Sequence, residues 1–162
     1  MQDAVAQDAV FAGERSSWRS AVEVFKPRIG LEIMFAGIAG VAMAQGAGLP
    51  LPQLLVLATA VFLAAASAGA LNHLAERDLD ARMSRTRGRP FVTGKLAGGS
   101  LWIAVIGLLL AFAVVSAGLA TNWLAAMFVF LGAFTYGVVY TLWLKRRTWL
   151  NIVVGGLAGS FA

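Results

Sequence analysis

The 162-residue sequence has no cysteine and a single histidine, His73. No disulfide, reactive thiol or cysteine-bound metal is therefore available, and one imidazole excludes a polyhistidine metal site. Charge is scarce as well. Asp, Glu, Lys and Arg make up 13% of the residues, where an ordinary soluble domain has about a quarter. Four runs, 33–45, 49–71, 101–119 and 123–144, carry no charge at all. No secretory signal stands at the start, because Asp3, Asp8 and Glu14 precede any apolar segment; the same acids argue against a transit peptide.

What the chain has in abundance is apolar surface: 59% of residues are hydrophobic. A helix crosses a bilayer core with about 20 apolar residues. The expected fold is all-α, a polytopic transmembrane helical bundle with full spans at about 28–46, 50–72, 101–119 and 123–144. A partial fifth span occupies 150–162. Its last twelve residues rise only about 18 Å against a hydrocarbon core of about 30 Å, so the sequence is expected to be part of a longer one. Residues 1–25 form a leader, in which Trp18, Val22 and Phe25 at helical spacing predict a short interfacial helix. Residues 26–162 form one bundle domain, interrupted by a polar loop at 73–100.

The net charge of +5 does not mark a nucleic-acid binder, because its distribution has a topological explanation. Four cations (Arg15, Arg19, Lys26, Arg28) precede the first span, six lie between the second and third, and three follow the fourth. The turns near 46–48 and 120–122 carry none. All thirteen fall on one side of an alternating topology, which places the N-terminus and the central loop in the cytoplasm.

Several residues invite local readings. Pro27 suits a first helical turn. Glu32, an acid inside an apolar helix, is expected to pair with a cation such as Arg28 or to line the site. Ala36, Gly40 and Ala44 form a small-residue stripe suited to helix packing, and small residues crowd 64–70. Gly118 reads as a C-cap and Thr121-Asn122 as an N-cap for a tight hairpin. Trp102, Trp123 and Trp143 are expected at membrane boundaries.

The informative stretch is 72–90, which holds three of the eight carboxylates and five of the thirteen Lys and Arg residues. If helix continues to Met83, then Asn72, Glu76, Asp80 and Met83 share an arc of roughly 80°. An amide and two carboxylates on one face, followed by Arg85, Arg87 and Arg89, fit a metal-diphosphate site at a membrane surface. Mg²⁺ favours a few carboxylates, water and substrate phosphates, and arginine grips phosphate bidentately. The plainer alternative is that Glu76, Arg77, Asp78, Asp80 and Arg82 are ion pairs of a juxtamembrane helix beside topogenic arginines. A second alternative is a transporter or scaffold subunit whose basic loop binds anionic lipid.

The run Asn72-x-x-x-Glu76-x-x-x-Asp80, continuing through Met83, Arg85-Thr86 and Arg89-Pro90, resembles the first aspartate-rich motif of the UbiA superfamily of intramembrane prenyltransferases. Segments 26–40, 70–90 and 140–160 are most similar to its haem-farnesylating branch. The resemblance covers residues 26–162. It implies a UbiA-like fold and a bacterial inner-membrane enzyme that uses Mg²⁺, farnesyl diphosphate and haem b. Asn72, Glu76 and Asp80 would be metal-diphosphate ligands. Arg85, Arg89, Lys95, Lys145 and Arg146 would contact the diphosphate, and a haem A synthase or oxidase-assembly protein would be a partner. Hydroxybenzoate, naphthoate and chlorin acceptors remain alternatives, as do two roles for His73, haem ligand or hydrogen-bonded structural residue. Tyr136, Tyr140 and Met83 would shield a carbocation or simply pack. Glu76 replaces the family's usual Asp, and the sequence ends before the second aspartate-rich motif. On that ground the resemblance implies metal binding without catalysis by this stretch alone.

Overall fold

A computed structural model of the chain describes residues 18–44, 48–145, 147 and 151–161. The described residues form helices and turns with no strand. In order they are α1 (18–24), α2 (Pro27–Met43), α3 (Leu51–Ala75), the single turn α4 (Arg77–Asp80), α5 (Ser100–Ala120) and α6 (Trp123–Phe134). α6 runs on without a break as a π-helix, Thr135–Leu144. α7 (Asn151–Leu157) closes in a 3₁₀ turn, Ala158–Phe161.

Three helices are long and apolar enough to cross a membrane: Leu51–Ala75, Ser100–Ala120 and Trp123–Leu144. The span expected at 28–46 is helical over 17 residues, about 26 Å, and its first two turns carry Arg28 and Glu32. These two pair with each other at 3.3 Å on an exposed face, so Glu32 takes the partner role and lies outside the site. Such an exposed pair adds little stability.

α3 is the central helix, packed on α2, α5 and α6. Its core is built from alanine: Ala60, Ala64 and Ala68 meet Ala113 and Ala117 of α5 and Ala126 and Ala133 of α6. Side chains this small let helix backbones approach closely, which drives association where lipid removes the hydrophobic preference for burial. The stripe Ala36, Gly40 and Ala44 does not serve this purpose. It faces outward, and α2 packs through Gly30, which abuts the Phe62 ring. A one-face count cannot tell which of two small faces meets a neighbour.

A second cluster joins Val24 of α1, Ala70 of α3, Phe91 of the central loop and Ile106 of α5. Trp102, expected at a membrane boundary, packs here, edge-on to Phe91 at 5.2 Å and tilted against Phe25 at 6.1 Å. It anchors the polar loop to the bundle, while Trp123 and Trp143 are exposed.

The α5–α6 hairpin corrects one assignment. Gly118 lies inside α5, not at its end, and leaves room for the Trp123 ring, which a Cβ there would meet at 2.7 Å. Asn122 caps α6, its side chain accepting from Ala125 N–H at 2.9 Å. Replacing Asn122 with alanine is expected to cost about 1 kcal/mol, read as a lowered unfolding midpoint in detergent.

Candidate active site

The polar stretch does not continue α3 as one straight helix. α3 stops at Glu76, whose backbone (φ −98°, ψ 6°) leaves the helical region, and α4 restarts for a single turn. The i to i+4 register survives the break: Glu76 N–H donates to Asn72 C=O at 3.1 Å and Asp80 N–H to Glu76 C=O at 2.8 Å. Asn72, Glu76 and Asp80 therefore still point the same way and are 2%, 3% and 3% exposed. Met83, placed on the same face by the straight-helix count, is 49% exposed because the helix has ended before it. Asp78 is exposed beside Arg77.

The arginine-rich loop folds back over this face. Buried Thr86 donates its hydroxyl to Asp80 C=O at 3.1 Å, and buried Pro90 and Phe91 fix the next turn. That fold carries the Arg89 guanidinium onto the Asp80 carboxylate at 2.5 Å, with both side chains largely buried. Arg85 is exposed on the rim, and Lys95 is exposed farther along the loop.

The opposite wall comes from the π-helix. Its wider turn bonds i to i−5, as Lys145 N–H donates to Tyr140 C=O at 2.9 Å, and the Thr141 side-chain hydroxyl also donates to Tyr136 C=O at 2.9 Å. Tyr136 and Tyr140, four positions apart, stack at 5.5 Å and 15°. Asn72 Nδ2 donates to Thr141 Oγ1 at 3.3 Å. Lys145 Nζ reaches Glu76 Oε1 at 2.5 Å as an ion pair, though no directed hydrogen bond satisfies that oxygen. Arg146 lies outside the described residues.

Lys26 completes the cluster. It occupies the N-cap of α2 in the left-handed region (φ 48°, ψ 57°), a conformation that L-residues rarely adopt. Its stem packs on Gly69, where a Cβ would sit 3.4 Å from Lys26 Cδ. Its ammonium donates to Asn72 Oδ1 at 2.5 Å and to the Tyr136 hydroxyl at 3.3 Å. Burial chiefly, then the nearby Arg89, holds its pKa down to about 8, with Glu76 opposing. Three cations (Lys26, Arg89, Lys145) thus face two buried carboxylates (Glu76, Asp80).

Two cavities meet at Lys26. One, about 610 Å³, is lined by the four cations Lys26, Arg28, Arg85 and Arg89 against one acid, Glu23, with His73 beside them, and opens at the surface. The other, about 260 Å³, runs from Lys26 and Tyr136 down between α2, α3 and α6 past Ala65 and Val61, and is apolar. His73 is buried with Nδ1 unpartnered. A cationic mouth over an apolar channel is complementary in charge and polarity to an anionic head on a hydrocarbon tail.

The UbiA prenyltransferase family matches residues 33–162. The chain belongs to the UbiA prenyltransferase family. It is 54% identical over 139 residues to "Protoheme IX farnesyltransferase 2" of Paramagnetospirillum magneticum, covering 86% of this chain and 48% of that protein. Identity is 42% over 147 residues to "Protoheme IX farnesyltransferase 1" of the same organism, covering 90% and 51%. To "Protoheme IX farnesyltransferase" of Parvibaculum lavamentivorans it is 41% over 150 residues, covering 92% and 46%. The chain spans about half the length of the curated relatives it matches. No solved structure matches it.

Apolar helices and family membership together make this UbiA-family chain an integral membrane protein. Among the described residues no group of three or more His, Asp or Glu side chains converges as a metal cage. Two buried carboxylates and an amide on one face are nonetheless a donor set that Mg²⁺ accepts when substrate phosphates supply other ligands. In the structure Lys145 holds Glu76 Oε1, Arg89 holds Asp80 Oδ2 and Lys26 holds Asn72 Oδ1, so a metal there would replace cation contacts. Lys26 was the residue that sequence pattern undervalued. It reads there as one of the topogenic cations, and the Lys26-Pro27 pair at a helix start is the available signal.

Proposed function

We propose that this chain carries the donor half of a Mg²⁺-dependent protoheme IX farnesyltransferase, which moves farnesyl from farnesyl diphosphate to a vinyl group of haem b. The observation that carries the reading is the junction at Lys26, where a cationic cavity and an apolar one share a wall. The names of the relatives supply the acceptor class and the farnesyl group.

In this reading Arg89 and Lys145 turn from Asp80 and Glu76 toward the diphosphate oxygens, and Lys26 holds the oxygen nearest the reacting carbon. As the allylic C–O bond ionises, negative charge grows on the departing diphosphate, and pre-placed cations stabilise it at little reorganisation cost. Mg²⁺, bound by Glu76, Asp80 and Asn72 through the diphosphate, would add further charge neutralisation. Tyr136, stacked on Tyr140, lines the channel at its mouth, where its ring can stabilise a cation. C1 of the farnesyl cation then bonds to the terminal vinyl carbon of haem b. The resulting porphyrin-side cation takes a hydroxyl from water, releasing a proton. The apolar channel keeps water from the allylic cation before that capture. The site faces the cytoplasm of a bacterial inner membrane, with the N-terminus on the same side, and a haem A synthase or oxidase-assembly protein is a suitable recipient of the product.

Titrating the purified chain in detergent with farnesyl diphosphate tests the reading. Saturable binding that requires Mg²⁺ and is displaced by inorganic diphosphate is expected. Binding indifferent to both would favour a surface that merely attracts anionic lipid.

A further inference from the structure

The apolar channel does not end at a flat base. Below it lies a second cavity of about 320 Å³, lined by Met34, Ile38 and Leu54 among others. Val61, Phe128, Val129 and Phe161 belong to the walls of both. At this junction the rings of Phe128 and Phe161 stack, with centroids 6.3 Å apart and planes 30° apart. The two cavities are thus one path along the bundle axis, divided by a pair of aromatic rings.

We propose that the Phe128–Phe161 pair sets the length of the isoprenoid tail, admitting three isoprene units and turning away a fourth. The inference rests on the reading of the Lys26 cluster as a diphosphate site. Tyr136, at the mouth, and Phe128, at the division, are eight positions apart along α6 and the π-helix that continues it. That is about 12 Å along the axis of an α-helix. The twelve main-chain carbons of a farnesyl tail, extended at ordinary C–C bond lengths, reach roughly 15 Å. Three units, slightly folded, therefore fill the upper cavity. A fourth has to push past the ring pair to reach the lower cavity of about 320 Å³. The walls below the division are still mostly apolar (Ile38, Leu54, Leu57), with Ser160 as a polar addition, so a hydrocarbon tail has apolar surface on both sides and the ring pair is the obstacle between them.

The experiment measures affinities of farnesyl and geranylgeranyl diphosphates for the detergent-purified chain in Mg²⁺, alongside inorganic diphosphate as a head-group control. The wild type is expected to bind farnesyl diphosphate about tenfold or more tightly than geranylgeranyl diphosphate, a ratio typical of steric discrimination by an apolar pocket. Phe128→Ala and, independently, Phe161→Ala are expected to bring the two within about threefold by raising affinity for the longer tail. A misfolded variant cannot gain affinity for a larger ligand. An unchanged ratio in both variants, or a wild type that binds both tails equally, overturns the length-setting role while leaving the head-group site in place. Failure of the wild type to bind either ester or inorganic diphosphate removes the head-group reading, and the length-setting role falls with it.

Discussion

Asp80→Asn is expected to weaken Mg²⁺-dependent farnesyl diphosphate binding by about ten- to a hundredfold, the scale of metal-affinity loss when a group supporting a bound metal is removed. It is also expected to destabilise the chain by about 3 kcal/mol, the lower end for breaking a buried ion pair. Asp80 and Arg89 lie side chain to side chain in a largely buried setting. An asparagine of the same shape keeps the packing but leaves the guanidinium without a counter-charge. Arg89 retains some solvent contact, which keeps the penalty from reaching the upper end of that range. The double variant Asp80→Asn, Arg89→Met separates the two effects, because removing both charges is expected to restore most of the unfolding midpoint without restoring binding. Undiminished binding in the single variant would show that the carboxylate serves structure alone.

Lys26→Met is expected to behave differently: binding falls roughly thirtyfold, for the loss of a charge-assisted contact of about 2 kcal/mol, while stability moves by less than about 1 kcal/mol. Two opposing terms produce the near-cancellation. Burial already disfavours the Lys26 charge, holding its pKa down to about 8, and replacing a buried charge by an apolar side chain of similar size is often neutral or stabilising. Against that, Asn72 Oδ1 loses its donor, and an unsatisfied buried acceptor costs about 1–3 kcal/mol. Methionine keeps the strained left-handed backbone no better and no worse than lysine, so that contribution drops out. Calorimetric titration and thermal unfolding on the same preparation read both quantities. Loss of stability equal to the loss of binding would make Lys26 a structural residue.

Much of the candidate site could be read directly. The spacing of Asn72, Glu76 and Asp80 survives the break at Glu76 because the backbone keeps its i to i+4 bonds across it. Arg89 was legible as part of the same motif. Lys26 and Thr141 were not, because neither lies in a polar run and both reach the cluster from far along the chain, by 46 and 69 positions to Asn72. Met83 and the Ala36–Gly40–Ala44 stripe failed for a related reason. Periodicity assumes a straight helix with a known inward face, and it sees neither a helix end nor a neighbour's position.

Local forces in the sequence by itself determined the apolar helices, their order, the polar loop between the second and third long apolar runs and the turn cap at Asn122. Each follows from transfer free energy or backbone chemistry acting within a few residues. Only the tertiary structure decided the π-helical register of 135–144. Its i to i−5 bonding sets the turn on which Thr141 and Lys145 meet Asn72 and Glu76. An α-helix of the same sequence is locally just as acceptable. The wider turn persists because it satisfies buried polar groups on another helix, and no window of neighbouring residues contains that partner.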